Sequence, residues 1–472
     1  MRKLLVPIFI GFLSYLLYSF KLSNAIHYHP DLARDLHEIL KITQGDFTLL
    51  GPKLTFGGLY TGPYYFYLFA PIFFITKHSI FAIYAFNAFL FSFAVGYFFK
   101  KAHEKYPLWK AFLATALFVF VPIFLIGSRN PSNAYTFLPI LSVIMTYLYF
   151  HRSYKRSAIF FLGLTSGIVV NFHFLNILIL PVVLSFFLFT KRKGESLLFF
   201  TVGFFSSFLP LLLFEVRHGF VIFKNTVIDK SYLAWIQNRN IPGGLEGKKN
   251  ILENIFFMAD QMKQLTIVNP LIIYAILGII LLRKKPQKKF LAVYFGPLIS
   301  FLLFTAIIRY QFIPHYLPAT AFLLFFGALI VFLETRFTYL LLAFLVAEIV
   351  FFPSYLYTSS WRKPEPFEKA TNYVIENGIV TKDSQFNIIQ ITKENLLAPI
   401  GFEYRYFFRK RGYIPQSEFA YNTSKELLVF SEVPDFDLPK FRSWEAEQFG
   451  VERLKKAKKY RVDALTIYHI LK

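Results

Sequence analysis

Residues 27 to 38 read HYHPDLARDLHE, which sets two aspartates, an arginine and three histidines close together. Carboxylates and imidazoles can move protons, and a guanidinium can steady a carboxylate or hold an anion. His27, His29 and Asp31 have a spacing that could ligate a cation. The favoured reading of these three is loop residues with no metal. The elements around the stretch decide between chemistry and loop.

The stretch follows an apolar run, LLVPIFIGFLSYLLYSF, that starts at residue 4. The 472-residue chain is 55% hydrophobic and 20% aromatic, with 62 Phe and 29 Tyr, and only 17% of it is charged. An ordinary soluble domain carries roughly 25% charged residues. Apolar runs of about 17 to 25 residues, long enough for a roughly 30 Å hydrocarbon core, recur over the first three quarters. The pattern is that of a polytopic α-helical membrane protein. A net charge of +23 comes from basic clusters between those runs, KKAHEK (100–105), HRSYKR (151–156), KRKG (191–194) and RKKPQKK (283–289). Such clusters mark loops that stay in the cytoplasm, so the charge reports topology, and a nucleic-acid partner is not expected. With no cysteine there is no disulfide, thiolate nucleophile or cysteine metal site.

The periodicity predicts transmembrane helices over 4–20, 79–99, 108–127, 134–150, 157–172, 174–190, 196–214, 268–283, 288–307, 317–333 and 337–356. About eleven crossings put the N-terminus and all four basic clusters on the cytoplasmic side and the C-terminus outside. The stretch 157–190 is split at NFHF, since one helix of that length would be about 50 Å long. The run after residue 3 is too long for the apolar core of a cleaved signal peptide. A transmembrane domain is therefore expected over 1–357, with outer loops at 21–78 and 215–267. In the first loop, GGLYTGPYYFYLFAPIFFI reads as an aromatic helix along the membrane surface. From 358 to 472 the pattern changes to PFEKATNYVIENG and FEYRYFFRKRG as helices and QFNIIQI, KELLVFSE and ALTIYHIL as strands, a soluble α/β domain outside the membrane.

This topology gathers further polar residues at the outer ends of helices. SRNPSNAY (128–135) brings Arg129, FEVRHGF (214–220) brings Arg217 and His218, and IRYQFIPHYLP (308–318) brings Arg309 and His315, with His173 at the break in NFHF. Acidic groups in the first loop and basic groups in the others make a divided outer face. That division suits a base on one side and an anionic leaving group on the other.

HPDLARDLHEILKITQGDFTLLGP (29–52) resembles the first outer loop of the GT-C glycosyltransferases of the protein O-mannosyltransferase and aminoarabinose transferase type. The stretch 163–194 is similar to that family's fifth and sixth helices, and IRYQFIPHYLPATAF to its motif before a late helix. The resemblance, over about residues 1 to 335, implies transfer of a sugar from a polyprenyl-phosphate donor to an acceptor glycan, lipid or protein on the outer face. It gives Asp31 the place of the catalytic aspartate, which takes or orients the acceptor proton. An ordinary aspartate is a weak base, so burial would have to raise its pKa. Arg34 falls on the family arginine, Gly45 and Asp46 on its Gly-Asp pair, His173 where a lysine binds near phosphate, and Arg309 and Tyr316 in the late motif. Two positions depart from the pattern: Leu32 follows Asp31 where an acid is usual, and Asn133 stands for the acid of the second loop. A divalent cation and retained catalysis are left open by these departures.

The reading is a GT-C-like, inverting membrane glycosyltransferase of the cell membrane, embedded among membrane lipids. The alternatives are a transporter or flippase of lipid-linked saccharides, for which Glu348 is the one ionisable group in the last helix, and a catalytically inactive relative.

Overall fold

The computed structural model describes residues 2–54, 59–151, 154–187, 193–229, 250–266, 268–282, 288–307, 317–392 and 399–472. In chain order the main helices begin with α1 (Arg2–Ser19), α2 (Pro30–Thr43), α3 (Tyr64–Ile75), α4 (Ile80–Lys105), α5 (Leu108–Phe120) and α6 (Pro122–Ser128). They continue with α7 (Leu138–Phe150), α8 (Arg156–Phe172), α9 (Leu180–Phe187), α10 (Lys193–Ser206), α11 (Leu209–Arg217) and α12 (Ile251–Gln261). Then come α13 (Pro270–Leu282), α14 (Lys288–Ile307), α15 (Leu317–Glu334) and α16 (Leu340–Val350). The C-terminal part adds α17 (Glu365–Glu376), β1 (Phe386–Ile391), α18 (Phe402–Lys410), β2 (Glu426–Ser431), α19 (Trp444–Phe449), β3 (Lys458–Val462) and β4 (Leu465–Leu471).

A helix or a bent helix pair stands at each expected crossing. Prolines set the bends: α5 and α6 meet at 56° before Pro122, and α10 and α11 at 51° before Pro210. The break expected at NFHF falls on His173, whose extended backbone ends α8 before a 3₁₀ turn, Phe174–Ile179, leads into α9. Among the described residues, α4 and α15 are long and apolar enough to cross a membrane, and up to five spans result if each of three bent pairs is one. Helix α3 is too short to span a hydrocarbon core.

The chain forms two compact units, 1–22 with 48–69 and 81–358, and 23–47 with 70–80 and 359–472. The first is a helical bundle around α15, which is buried along almost its whole length. Its own Phe326 meets Phe98, which packs with Phe118 and through it with Phe124, the Phe98 and Phe118 rings stacked at 4.7 Å. Helices α8 and α10 touch backbone to backbone. A Cβ on Gly163 would lie 2.1 Å from the Phe200 carbonyl, and one on Gly203 2.1 Å from that of Phe160. Small residues permit that approach between apolar helices. At one end of the bundle Glu334 accepts hydrogen bonds from Lys105, Tyr106 and Tyr149, tying α15 to α4 and α7.

The second unit is a four-stranded mixed sheet in the order β1-β2-β4-β3. Strands β1 and β2 are parallel, joined through α18, and β4 runs antiparallel to both β2 and β3. Ile389, Ile391, Leu427, Val429 and Ile470 face a core closed by Leu438, Phe441, Phe449 and Leu454. On the other face, the ring of Tyr404 in α18 stacks on Phe430 at 3.8 Å.

The sequence division at 357/358 assigns all of loop 21–78 to the transmembrane domain. The structure instead groups 23–47 and 70–80 with the C-terminal segment. The cause is specific packing: Tyr28 sits among Phe367, Tyr406 and Phe407 and donates its hydroxyl proton to the Glu403 carbonyl at 3.0 Å. Backbone bonds from Tyr28 N–H to the Arg362 carbonyl and from Ser360 N–H to the Asn24 carbonyl, both 2.9 Å, complete the join.

Candidate active site

Helix α2 is built to present its first turn. Pro30 takes the first helical position, and His29 caps the helix, its Nδ1 accepting from the Leu32 N–H at 3.4 Å. Leu32, Ala33, Leu36, Ile39 and Leu40 form the buried face, which packs on α18. Asp31 falls outside that stripe, in the first turn, where the helix dipole favours a carboxylate.

Arg34 then serves two carboxylates at once. Its Nη1 donates to Asp31 Oδ1 at 2.9 Å, while Nε and Nη2 donate to Asp35 Oδ1 at 3.0 and 2.8 Å. The side chain of Asp31 is 67% exposed and that of Asp35 only 4%. The burial that the sequence reading required of Asp31 is thus found one turn on. Desolvation pushes the Asp35 carboxyl up to about 6, against the pull of Arg34. On the opposite side of the helix, burial and the neighbouring cations Arg409, Arg405 and Lys41 hold His37 down at about 3.

The helix ends at Gly45, whose φ of +93° only glycine adopts at little cost. That turn places the Asp46 carboxylate 3.8 Å from both Lys41 and Arg409. The rings of His27 and His29 stack at 5.7 Å, with His27 Nδ1 3.1 Å from the Ser360 hydroxyl. Among the described residues no group of three histidine, aspartate or glutamate side chains could hold a metal ion.

In the helical unit, His173 and Asn133 come together. His173 Nδ1 accepts from the Leu175 N–H at 3.3 Å, and Asn133 Nδ2 donates to the carbonyl of the preceding residue, Phe172, at 3.3 Å. Arg129 faces another way. Its Nε donates to the Leu356 carbonyl (3.1 Å) and its Nη1 to the carbonyls of Tyr18 (2.7 Å) and Phe20 (2.8 Å). Its guanidinium also stacks over Tyr357 at 4.1 Å, so it clasps the end of α1 to the segment after α16. Only its Nη2 is left buried without a partner among the described residues. Arg217 and His218 are exposed at the end of α11 and, among the described residues, bond to none of the other candidates. Arg309, His315 and Tyr316 lie outside the described residues, as does the middle of the loop 215–267.

Several residues that shape these surfaces escaped the sequence reading. Asp35 is one in its burial alone, since the sequence singles it out only as an acid beside Asp31, although its place on the apolar stripe of α2 was a readable signal. Asn171 is another: it donates to Gly167 and Ser207, and Gly62 lies so close that a Cβ there would be 2.3 Å from its Oδ1. The third is a buried set in the C-terminal unit. Arg362 pairs with Glu403 at 2.6 Å and with both oxygens of Glu432 at 3.0 Å, and Gln390 donates to the same two carboxylates.

No protein-family model matches the chain, and no curated protein matches its sequence. Solved structures do match its fold. ArnT from Cupriavidus metallidurans bound to undecaprenyl phosphate superposes with a TM-score of 0.62 at 10% identity, over 98% of this chain and 97% of that one. The same protein in its apo state gives 0.62 at 8% identity, with the same coverage. An oligosaccharyltransferase from Archaeoglobus fulgidus gives a TM-score of 0.45 at 12% identity, over 89% of this chain and 67% of that one. The chain therefore shares the fold of ArnT along essentially its whole length.

Proposed function

We propose that this protein is an inverting membrane glycosyltransferase that moves a sugar from a polyprenyl-phosphate donor to a hydroxyl-bearing glycan, lipid or protein on the outer side of the membrane. The observation that carries the reading is the end-to-end likeness to a GT-C protein whose structure holds undecaprenyl phosphate. An eleven-crossing topology, N-terminus inside and C-terminus outside, goes with it, and so does the aromatic helix α3 along the membrane surface.

In this reading Asp31 takes the proton of the acceptor hydroxyl as its oxygen attacks the anomeric carbon. The bond from that carbon to the phosphate oxygen breaks, and the lipid phosphate leaves with the electron pair. Positioned bases of this kind contribute about 10² to 10⁴-fold. Arg34 holds the carboxylate in place through their 2.9 Å ion pair. His173, Arg309 and Tyr316 receive the growing phosphate charge, where cationic groups and donors act most strongly. Asp46, Asn133, Arg217, His218 and His315 are assigned to the sugar and the acceptor. A divalent cation has no step in this scheme.

The test is release of labelled sugar from a polyprenyl-phosphate sugar by the purified protein in lipid vesicles. Release that depends on added acceptor supports the reading. Passage of the intact donor across the vesicle membrane without release would instead mark a transporter.

A further inference from the structure

A groove runs along the seam between α1 and α4, and none of the residues assigned above lines it. The two helices are antiparallel and almost touch. A Cβ on Gly11 would lie 3.2 Å from the Ser92 carbonyl, and one on Gly96 2.9 Å from that of Pro7. These small residues make the floor. Ile8, Phe12, Phe89 and Phe93, each at least half exposed, make the walls, and about 520 Å³ of space lies between them. From Phe89 to Lys100 the groove is about 16 Å long at the helical rise of roughly 1.5 Å per residue. That is close to half of a roughly 30 Å hydrocarbon core, the depth of one leaflet.

One end of the groove is cationic. Lys100 lines it there, beside Leu4. The next lysine, Lys101, pairs with Glu104 at 2.8 Å, whereas Lys100 has no carboxylate partner among the described residues. An apolar channel one leaflet deep with an unpaired ammonium at its mouth matches the chain and head group of an anionic lipid. A polyprenyl tail, several times longer, would overrun it.

We infer that the α1–α4 groove is a binding site for one acyl chain of an anionic glycerophospholipid, whose phosphate pairs with Lys100 in the leaflet that Lys100 borders. The inference rests on this seam alone and is independent of the transfer reaction. Delipidated protein would be offered phosphatidylglycerol, phosphatidylcholine or polyprenyl phosphate in detergent, and the retained lipid counted by native mass spectrometry. One phosphatidylglycerol should be held about fivefold better than phosphatidylcholine, the effect of one lysine near an anionic lipid. The preference should vanish in Lys100→Gln and survive in Lys100→Arg. As a second readout, Phe93→Trp should be quenched more by brominated phosphatidylglycerol than by its brominated phosphatidylcholine counterpart. Equal retention of the two phospholipids, an unchanged preference in Lys100→Gln, or displacement by equimolar polyprenyl phosphate would each overturn the inference.

Discussion

Arg34 Nη1 stands 2.9 Å from the exposed carboxylate of Asp31, while the same guanidinium grips the buried Asp35 at 2.8 Å. One cation therefore couples a carboxylate free to meet a substrate to one locked in the fold. Arg34→Met should cost about 1–3 kcal/mol, because Asp35 is left buried without its partner. Thermal unfolding measures that loss, and adding Asp35→Asn should recover most of it. Activity should fall about 10- to 100-fold even in the double variant, since Asp31 is no longer held in place.

The same helix carries two titrations of opposite sign. The Asp35 pKa is raised from 3.8 to about 6, so the stability it contributes is full below its unfolded value and is lost as pH rises through 6. The His37 pKa is lowered from 6.5 to about 3, so its contribution is full above 6.5 and is lost as pH falls toward 3. Between about pH 4 and 6 the two slopes oppose each other, each about 1.4 kcal/mol per pH unit. Urea unfolding across that range measures the balance in the native protein and in each single variant. Asp35→Asn should make stability rise with pH, and His37→Gln should make it fall.

Gly62 has no room for a side chain. A Cβ there would sit 2.3 Å from Asn171 Oδ1. Gly62→Ala should therefore lower stability by about 1–3 kcal/mol, the usual range for overpacking. Asn171→Ala in the same chain should restore part of the lost melting temperature.

Arg362 is the only cation in a buried set with Glu403, Glu432 and Gln390 among the described residues. Removing it strands Glu403, which is almost wholly buried. Arg362→Met should destabilise the protein by about 3–5 kcal/mol, the range for breaking a buried pair. Glu403→Gln should soften that loss, measured by chemical unfolding.

The helices were legible because their apolar runs are long and bounded by charge or proline, as at Pro122 and at the break on His173. Strands β1, β2 and β4 were legible from short buried runs such as FNIIQI. Strand β3 was not: KKYRV lies at the sheet edge, is mostly exposed, and carries no apolar alternation. In the candidate site, the three-residue spacing of Asp31 and Arg34 on one helix face could be read directly. Arg362 and Glu432 are 70 residues apart, and no local pattern announces such a pair. Arg129 follows α6 directly, but its carbonyl partners on Tyr18, Phe20 and Leu356 are set by tertiary contacts alone.

The most direct test of the account replaces Asp31 by Asn and measures release of labelled sugar from a polyprenyl-phosphate donor in vesicles, with protein amount and melting temperature matched. The account predicts a loss of about 10²-fold or more, with donor binding retained. Release at the native rate would contradict it, because the carboxylate would then have no part in the transfer.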